Sequence, residues 1–166
     1  TYPNGGGAYI VARDNLGELP AQIAGAANTN LQEAMSWAAF DLKSVYRQQT
    51  GRNFFEVYLQ AIENNRRMDG RNTDASLVIY RDAHVMLFVP KAQTSQWEIQ
   101  LMAKQAVGNI LEADKETRQS LDAAILIAVR VLEQLGARMI TCFEYSKAFD
   151  SPEVGQRLLY AFLPRL

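Results

Sequence analysis

Residues 78–102 read VIYRDAHVMLFVPKAQTSQWEIQLM. Leu77 to Tyr80 and Val85 to Val89 are rich in β-branched, aromatic and aliphatic residues, and the polar Arg81-Asp82-Ala83-His84 joins them, as a β-hairpin requires. Pro90 ends the second run. From Gln96 onward the residues alternate in character. Because strand side chains alternate with period two, Trp97, Ile99 and Leu101 fall on one face and Glu98 and Gln100 on the other. One face is expected to be core, and the other is free to form a site.

Downstream of this segment the pattern changes to helix. Asp114 suits an N-cap, Glu116 puts an acid in the first turn where the helix dipole favours it, and Gly136 is placed to stop the helix. Leu121, Ala124, Ile125, Ala128, Leu132 and Leu135 form an apolar stripe, widened by Ile127, Val129 and Val131. A stripe this wide predicts packing on more than one side. Met139 to Tyr145 and Leu158 to Leu163 read as two further strands. Upstream, Ala8 to Val11 reads as a short strand and Asp14-Asn15-Leu16-Gly17 as a loop. Asn30 caps a helix with Glu33 at the capping-box position, and Leu31, Met35, Ala38, Leu42 and Val45 recur at helical spacing. That helix breaks near Thr50-Gly51. A second follows with Phe54, Phe55, Tyr58, Leu59 and Ile62, then the polar Asn64-Asn65-Arg66-Arg67 and an Asp69-Gly70 turn.

The expected fold class is α+β, a mostly antiparallel sheet packed against helices. A length of 166 residues suits a single domain, 1–166, with residues 1–75 supplying an N-terminal strand, loop and helical region and 76–166 the hairpin, third strand, long helix and two closing strands. Apolar residues make up 48% of the chain, yet no run is long enough to span a bilayer, so no membrane partner is expected. A net charge of −1 gives no general attraction to nucleic acid, and none is expected as a partner. The single cysteine, Cys142, cannot form an internal disulfide, which fits a cytoplasmic location. On its apolar strand it reads as a small core residue. The start at Thr1 suggests a processed or trimmed product that has lost a leader or an upstream companion domain.

The hairpin, the Val89-Pro90 step and the Gln96-Trp97-Glu98 strand resemble the second half of galactose-1-phosphate uridylyltransferase-like proteins, within the histidine-triad superfamily. In those proteins a hairpin ending in "VP" precedes a "WPYE"-like strand. Thr50-Gly51-Arg52-Asn53-Phe54-Phe55 is similar to the "GRCLL" element before this half, and Phe162-Leu163-Pro164-Arg165-Leu166 to the closing "PPL". The resemblance covers roughly two-thirds of the chain. It implies a histidine-triad/uridylyltransferase-like fold and a nucleotide as ligand. In the family a histidine attacks the α-phosphorus and forms a covalent nucleotidyl intermediate. Here Glu18-Leu19-Pro20-Ala21-Gln22 stands where the family has "HPHSQ", keeping only the glutamine, and Leu159-Tyr160-Ala161 stands at its later "HxH". The family's histidine chemistry is therefore not expected, no catalytic residue is assigned, and no cofactor is expected.

Five residues are candidates for nucleotide or phosphate binding. Glu98 suits a ribose hydroxyl or a proton, although a solvent-facing strand carboxylate is the simpler reading. Gln22 is the glutamine retained from the family motif. Arg66, Arg67 and Arg71 can hold phosphate through bidentate guanidinium contacts, against the simpler reading of a solvated helix end. His84, the only histidine, reads as a surface turn residue. Glu63 lies near the family's helical metal-ligand glutamate but lacks histidine partners, so no metal is expected. Two functions remain open. One is a diverged nucleotidyltransferase-like domain that binds a nucleotide or nucleotide-sugar without covalent catalysis. The other is a non-catalytic interaction or regulatory module, dimeric through the sheet surface or the long helix. A hydrolase pairing Glu98 with His84 would need the two within hydrogen-bond reach.

Overall fold

A computed structural model describes residues 46–65, 76–91 and 93–165. The expected strand at 8–11, the helix beginning at Asn30, the Asp69-Gly70 turn and the candidates Gln22, Arg66, Arg67 and Arg71 lie outside the described residues. The chain divides into two compact units, Thr1–Asp74 with Lys91–Thr94, and Ala75–Pro90 with Ser95–Leu166.

In the first unit, residues 46–50 are helical and the chain breaks at Gly51, as the sequence predicts. Helix α1, Phe54–Glu63, starts at Asn53, whose side-chain oxygen accepts hydrogen bonds from the Phe55 and Glu56 amides. That cap satisfies two of the donors a helix start leaves open. Phe55, Leu59 and Ile62 recur at helical spacing and are buried. Phe54 stacks on Tyr58 one turn later, and Tyr46 meets Phe54 edge to face.

The second unit is a sheet with one long helix. Among the described residues five strands pair antiparallel in the order β1-β2-β3-β5-β4: β1 Val78–Arg81, β2 Val85–Phe88, β3 Ile99–Ala103, β4 Met139–Tyr145 and β5 Leu159–Arg165. The chain leaves β3 through helix α2, Lys115–Gln134, reaches the edge as β4, and returns as β5 between β4 and β3. Val85 and Leu87 of β2, Ile99, Leu101 and Ala103 of β3, and Leu158 and Phe162 at β5 pack against Leu121, Ala124, Ala128 and Leu132 of α2. Burial of one such side chain stabilises by about 1.5–3 kcal/mol, which makes this layer the main source of the unit's stability.

The helix ends are those the sequence indicates. The Asp114 carboxylate accepts from the Thr117 amide at 2.7 Å. At the other end Gly136 has φ +94, a conformation in which a side chain would be strained, and its N–H donates to the Glu133 carbonyl while Ala137 N–H donates to Leu132. This paired closure is a Schellman motif.

Three expectations are corrected. Helix α2 buries one stripe only, and Leu126, Val129 and Leu135 are exposed, because a sheet covers a single side of the helix lying on it. Cys142 is exposed rather than core: α2 lies over β2 and β3, whereas β4 is the sheet edge. Strand β3 begins at Ile99, not Gln96, since Trp97 has φ +61 and the Glu98 amide donates back to the Ser95 carbonyl. Trp97 still packs against the α2 core, on the side the alternation assigns to it.

Candidate functional site

Register divides the sheet into two faces. Ile99 pairs with Phe162 and Leu101 with Tyr160, on the α2 side. The alternating residues Gln100 and Met102 of β3, Met86 and Phe88 of β2, Leu159 and Ala161 of β5, and Phe143 and Tyr145 of β4 therefore share the other face. Glu98, at the entry to β3, is on this second face and is 3% exposed. The simpler expectation, a solvent-facing carboxylate, does not hold.

Glu98 Oε1 accepts a hydrogen bond from Gln100 Nε2 at 2.9 Å. The two residues are two apart on a strand and so on one side of it, which aims the amide at the carboxylate. Register places Ala161 between Gln100 and Phe143 across three strands. The Tyr145 phenol is held in its protonated form, first by burial and then by the negative charge of Glu98. A carboxylate acceptor bonded to an amide donor thus lies on one apolar surface, whose further end carries the Tyr145 phenol. Hydroxyl-bearing ligands match that combination, because a buried carboxylate is stable only when hydrogen-bonded.

The resemblance places the family's later "HxH" at Leu159-Tyr160-Ala161. Leu159 and Ala161 lie on the Glu98 face and carry hydrocarbon. Tyr160 points to the α2 side, where burial and the Glu144 carboxylate, to which it hydrogen-bonds, push its phenol well above the usual range. Neither it nor Cys142 is an activated nucleophile. Burial and the Glu144 charge likewise raise the Cys142 thiol, and the thiolate is the reactive form.

A second polar cluster sits at the opposite end of the sheet. Asp82 Oδ1 accepts from the His84 and Val85 amides at 2.8 Å each, and Oδ2 accepts from the Tyr80 hydroxyl at 3.1 Å. Burial alone pushes the Asp82 carboxyl up, but hydrogen bonds from Ser120, the two amides and Tyr80 together hold it below its usual value. Lys104 donates its amide to the His84 carbonyl and its ammonium to the Asp82 carbonyl. His84 Nδ1 lies 3.3 Å from Thr117 Oγ1, in the first turn of α2. His84 is therefore a half-buried packing residue that ties the hairpin to the helix, rather than a surface turn residue. Lys104 is six residues from Glu98, roughly 20 Å of extended chain. A Glu98–His84 pair is thereby excluded.

A third cluster fastens the loop before α2 to the loop after β4. Lys147 pairs with Glu112, Glu112 accepts from the Gly108 amide at 2.8 Å, and Lys147 N–H donates to the Gly108 carbonyl at 2.7 Å. A Cβ at Gly108 would lie 2.9 Å from the Lys147 side chain, so the close approach requires glycine. Arg157, buried just ahead of β5, donates to the Lys104 carbonyl. Gln100, Tyr145 and Arg157 were not among the sequence candidates. Gln100 was findable from its spacing to Glu98; Tyr145 and Arg157 depend on the β4–β5–β3 register, which carries no local signal. Glu63 is exposed on α1, and no three His, Cys, Asp or Glu side chains among the described residues come together as a metal site.

No protein-family model matches the sequence, and no curated protein matches it. Solved structures do resemble it. A uridylyltransferase superposes on 80% of the chain with a TM-score of 0.62 at 11% identity, and a mutant uridylyltransferase on 79% with 0.61 at 11%. The chain spans 39% and 40% of those two proteins. A Hit-like protein from Bartonella henselae, described as involved in cell-cycle regulation, matches 55% of this chain and 68% of its own length with a TM-score of 0.45 at 22% identity. The fold is uridylyltransferase-like, with the two uridylyltransferases carrying the likeness. It is an α+β fold, as the resemblance in sequence implies.

Proposed function

We propose that this chain is a diverged nucleotidyltransferase-like domain that binds a nucleotide or nucleotide-sugar on the sheet face away from α2, without the family's histidine-based covalent step. The observation that carries this reading is Glu98, a buried carboxylate bonded to Gln100, on a face where Leu159 and Ala161 stand in place of imidazoles. In this reading Glu98 accepts a hydrogen bond from a ribose hydroxyl and Gln100 donates to the sugar; Gln22, Arg66, Arg67 and Arg71, outside the described residues, are proposed as phosphate contacts from the sequence alone. His84, the only imidazole of the chain, is committed to the hairpin and α2 at the far end of the sheet. Covalent catalysis by this chain's own histidine is therefore not part of the reading.

A thermal-shift screen with UDP-sugars, ATP and diadenosine polyphosphates tests this, since a ligand that binds the native state raises the melting temperature. A rise with at least one nucleotide that weakens in Glu98→Ala supports the proposal. No rise with any of them at millimolar concentration removes it. A second reading, an interaction module, is favoured by the exposed Leu126 and Val129 of α2, 50% and 39% exposed. Concentration-dependent self-association abolished by Leu126→Glu, without any nucleotide response, would put that reading ahead.

A further inference from the structure

Trp97 is, among the described residues, the one non-glycine with a left-handed backbone, at φ +61. A bulky side chain is strained there, and such strain persists only where the surroundings hold it. Two contacts do so. The Glu98 amide donates to the Ser95 carbonyl at 3.3 Å and closes the turn, and the indole packs against the core between the sheet and α2. Beyond this turn β3 begins at once, with Ile99 directed into the core and Glu98 on the opposite face.

We propose that Trp97 is a positioning residue: its left-handed turn, held against its strain by the indole packed in the α2 core, sets the Glu98 carboxylate on the far face of the sheet beside Gln100. The part of this inference that concerns a ligand rests on the nucleotide reading above. In that reading the turn governs preference for a hydroxyl-bearing sugar, supplied either by ribose or by the hexose of a nucleotide-sugar.

The test compares Trp97→Gly with Trp97→Ala. Both remove the indole, but glycine enters the left-handed region freely and alanine does not. The first readout needs no ligand. The Gln100 side-chain amide, which donates to Glu98 Oε1, is followed by its 1H–15N resonances, assigned with Gln100→Ala. Glu98→Ala removes the acceptor and moves them. Trp97→Ala is expected to move them in the same direction, and Trp97→Gly to leave them near wild type. Equal shifts in the two Trp97 variants, or no shift in Trp97→Ala while Glu98→Ala moves them, overturn the proposal. So does a Glu98→Ala variant that leaves the Gln100 amide unchanged. Should Trp97→Ala fail to fold, Trp97→Asn, which tolerates the left-handed region, is compared with Trp97→Val on the same terms. The second readout is the affinity ratio of UDP to 2′-deoxy-UDP, with UDP-glucose as the hexose arm. Loss of a charge-assisted hydrogen bond corresponds to a fall on the order of tenfold. That fall is expected in Trp97→Ala and not in Trp97→Gly. A fall in the ratio marks ribose as the source, and a loss confined to UDP-glucose marks the hexose. A wild-type protein that binds none of these nucleotides removes the nucleotide reading, while the Gln100 amide resonances still decide the role of Trp97.

Discussion

The two ends of this sheet each carry a carboxylate, and they use it differently. Asp82 serves the main chain: its carboxylate accepts from two amides of its own hairpin turn as well as from the Tyr80 and Ser120 side chains. Glu98 accepts from the Gln100 side chain and is reached through a strained turn. A carboxylate that satisfies backbone donors is part of the architecture, because removing it strands those donors. The one on the sheet face is where the proposed function places a ligand. The contrast separates structural from functional polarity within one fold, and it tells against the lone histidine as the centre of interest.

The largest expected effect removes what both ends share. Leu101→Ala in the central strand is expected to cost about 2–5 kcal/mol through lost burial and a cavity, measured by urea denaturation; a loss under about 1 kcal/mol would show that the α2 layer is not the main support. Next comes the comparison itself. Asp82→Ala is expected to destabilise by about 1–3 kcal/mol by leaving turn amides unbonded, and Glu98→Gln by less than about 1 kcal/mol. Reversal of that order breaks the distinction. The sign with pH follows from the lowered Asp82 carboxyl. Its stabilisation is present above the unfolded carboxyl value and is lost as pH falls through the folded one, below about pH 4. Asp82→Asn should therefore flatten the acid limb of a stability profile, and an unchanged limb contradicts the assignment. Gly136→Ala is expected to cost about 1 kcal/mol through its left-handed position, read as a lowered denaturation midpoint. Smallest is His84→Ala, at about 0.5 kcal/mol for one side-chain contact, with nucleotide response unchanged.

Much of the fold was legible because its signals are local. The Asp114 cap, the Gly136 stop, the break at Gly51 and the limits of β4 are written in residues whose conformational preferences act within one turn or strand. What failed depended on distant elements. Cys142 looks like core in an apolar run, but its strand ends up at the sheet edge, beyond α2. Val129 and Leu135 extend an apolar stripe that one sheet face cannot cover. Glu98 looked like an ordinary solvent-facing residue, and alternation placed it on the correct face without disclosing its burial. Tyr145 shares the Glu98 face through register alone. Trp97 kept its face but not its strand, since nothing in its neighbours announces a left-handed backbone.

The central claim is that the Glu98 face binds a nucleotide and the Asp82 end does not. Isothermal titration of the best nucleotide from the thermal screen into wild type, Glu98→Ala and Asp82→Ala tests it most directly. The account predicts affinity reduced on the order of tenfold in Glu98→Ala, for one charge-assisted hydrogen bond lost, and wild-type affinity in Asp82→Ala. Undiminished binding in Glu98→Ala, or binding lost instead in a folded Asp82→Ala, would contradict it.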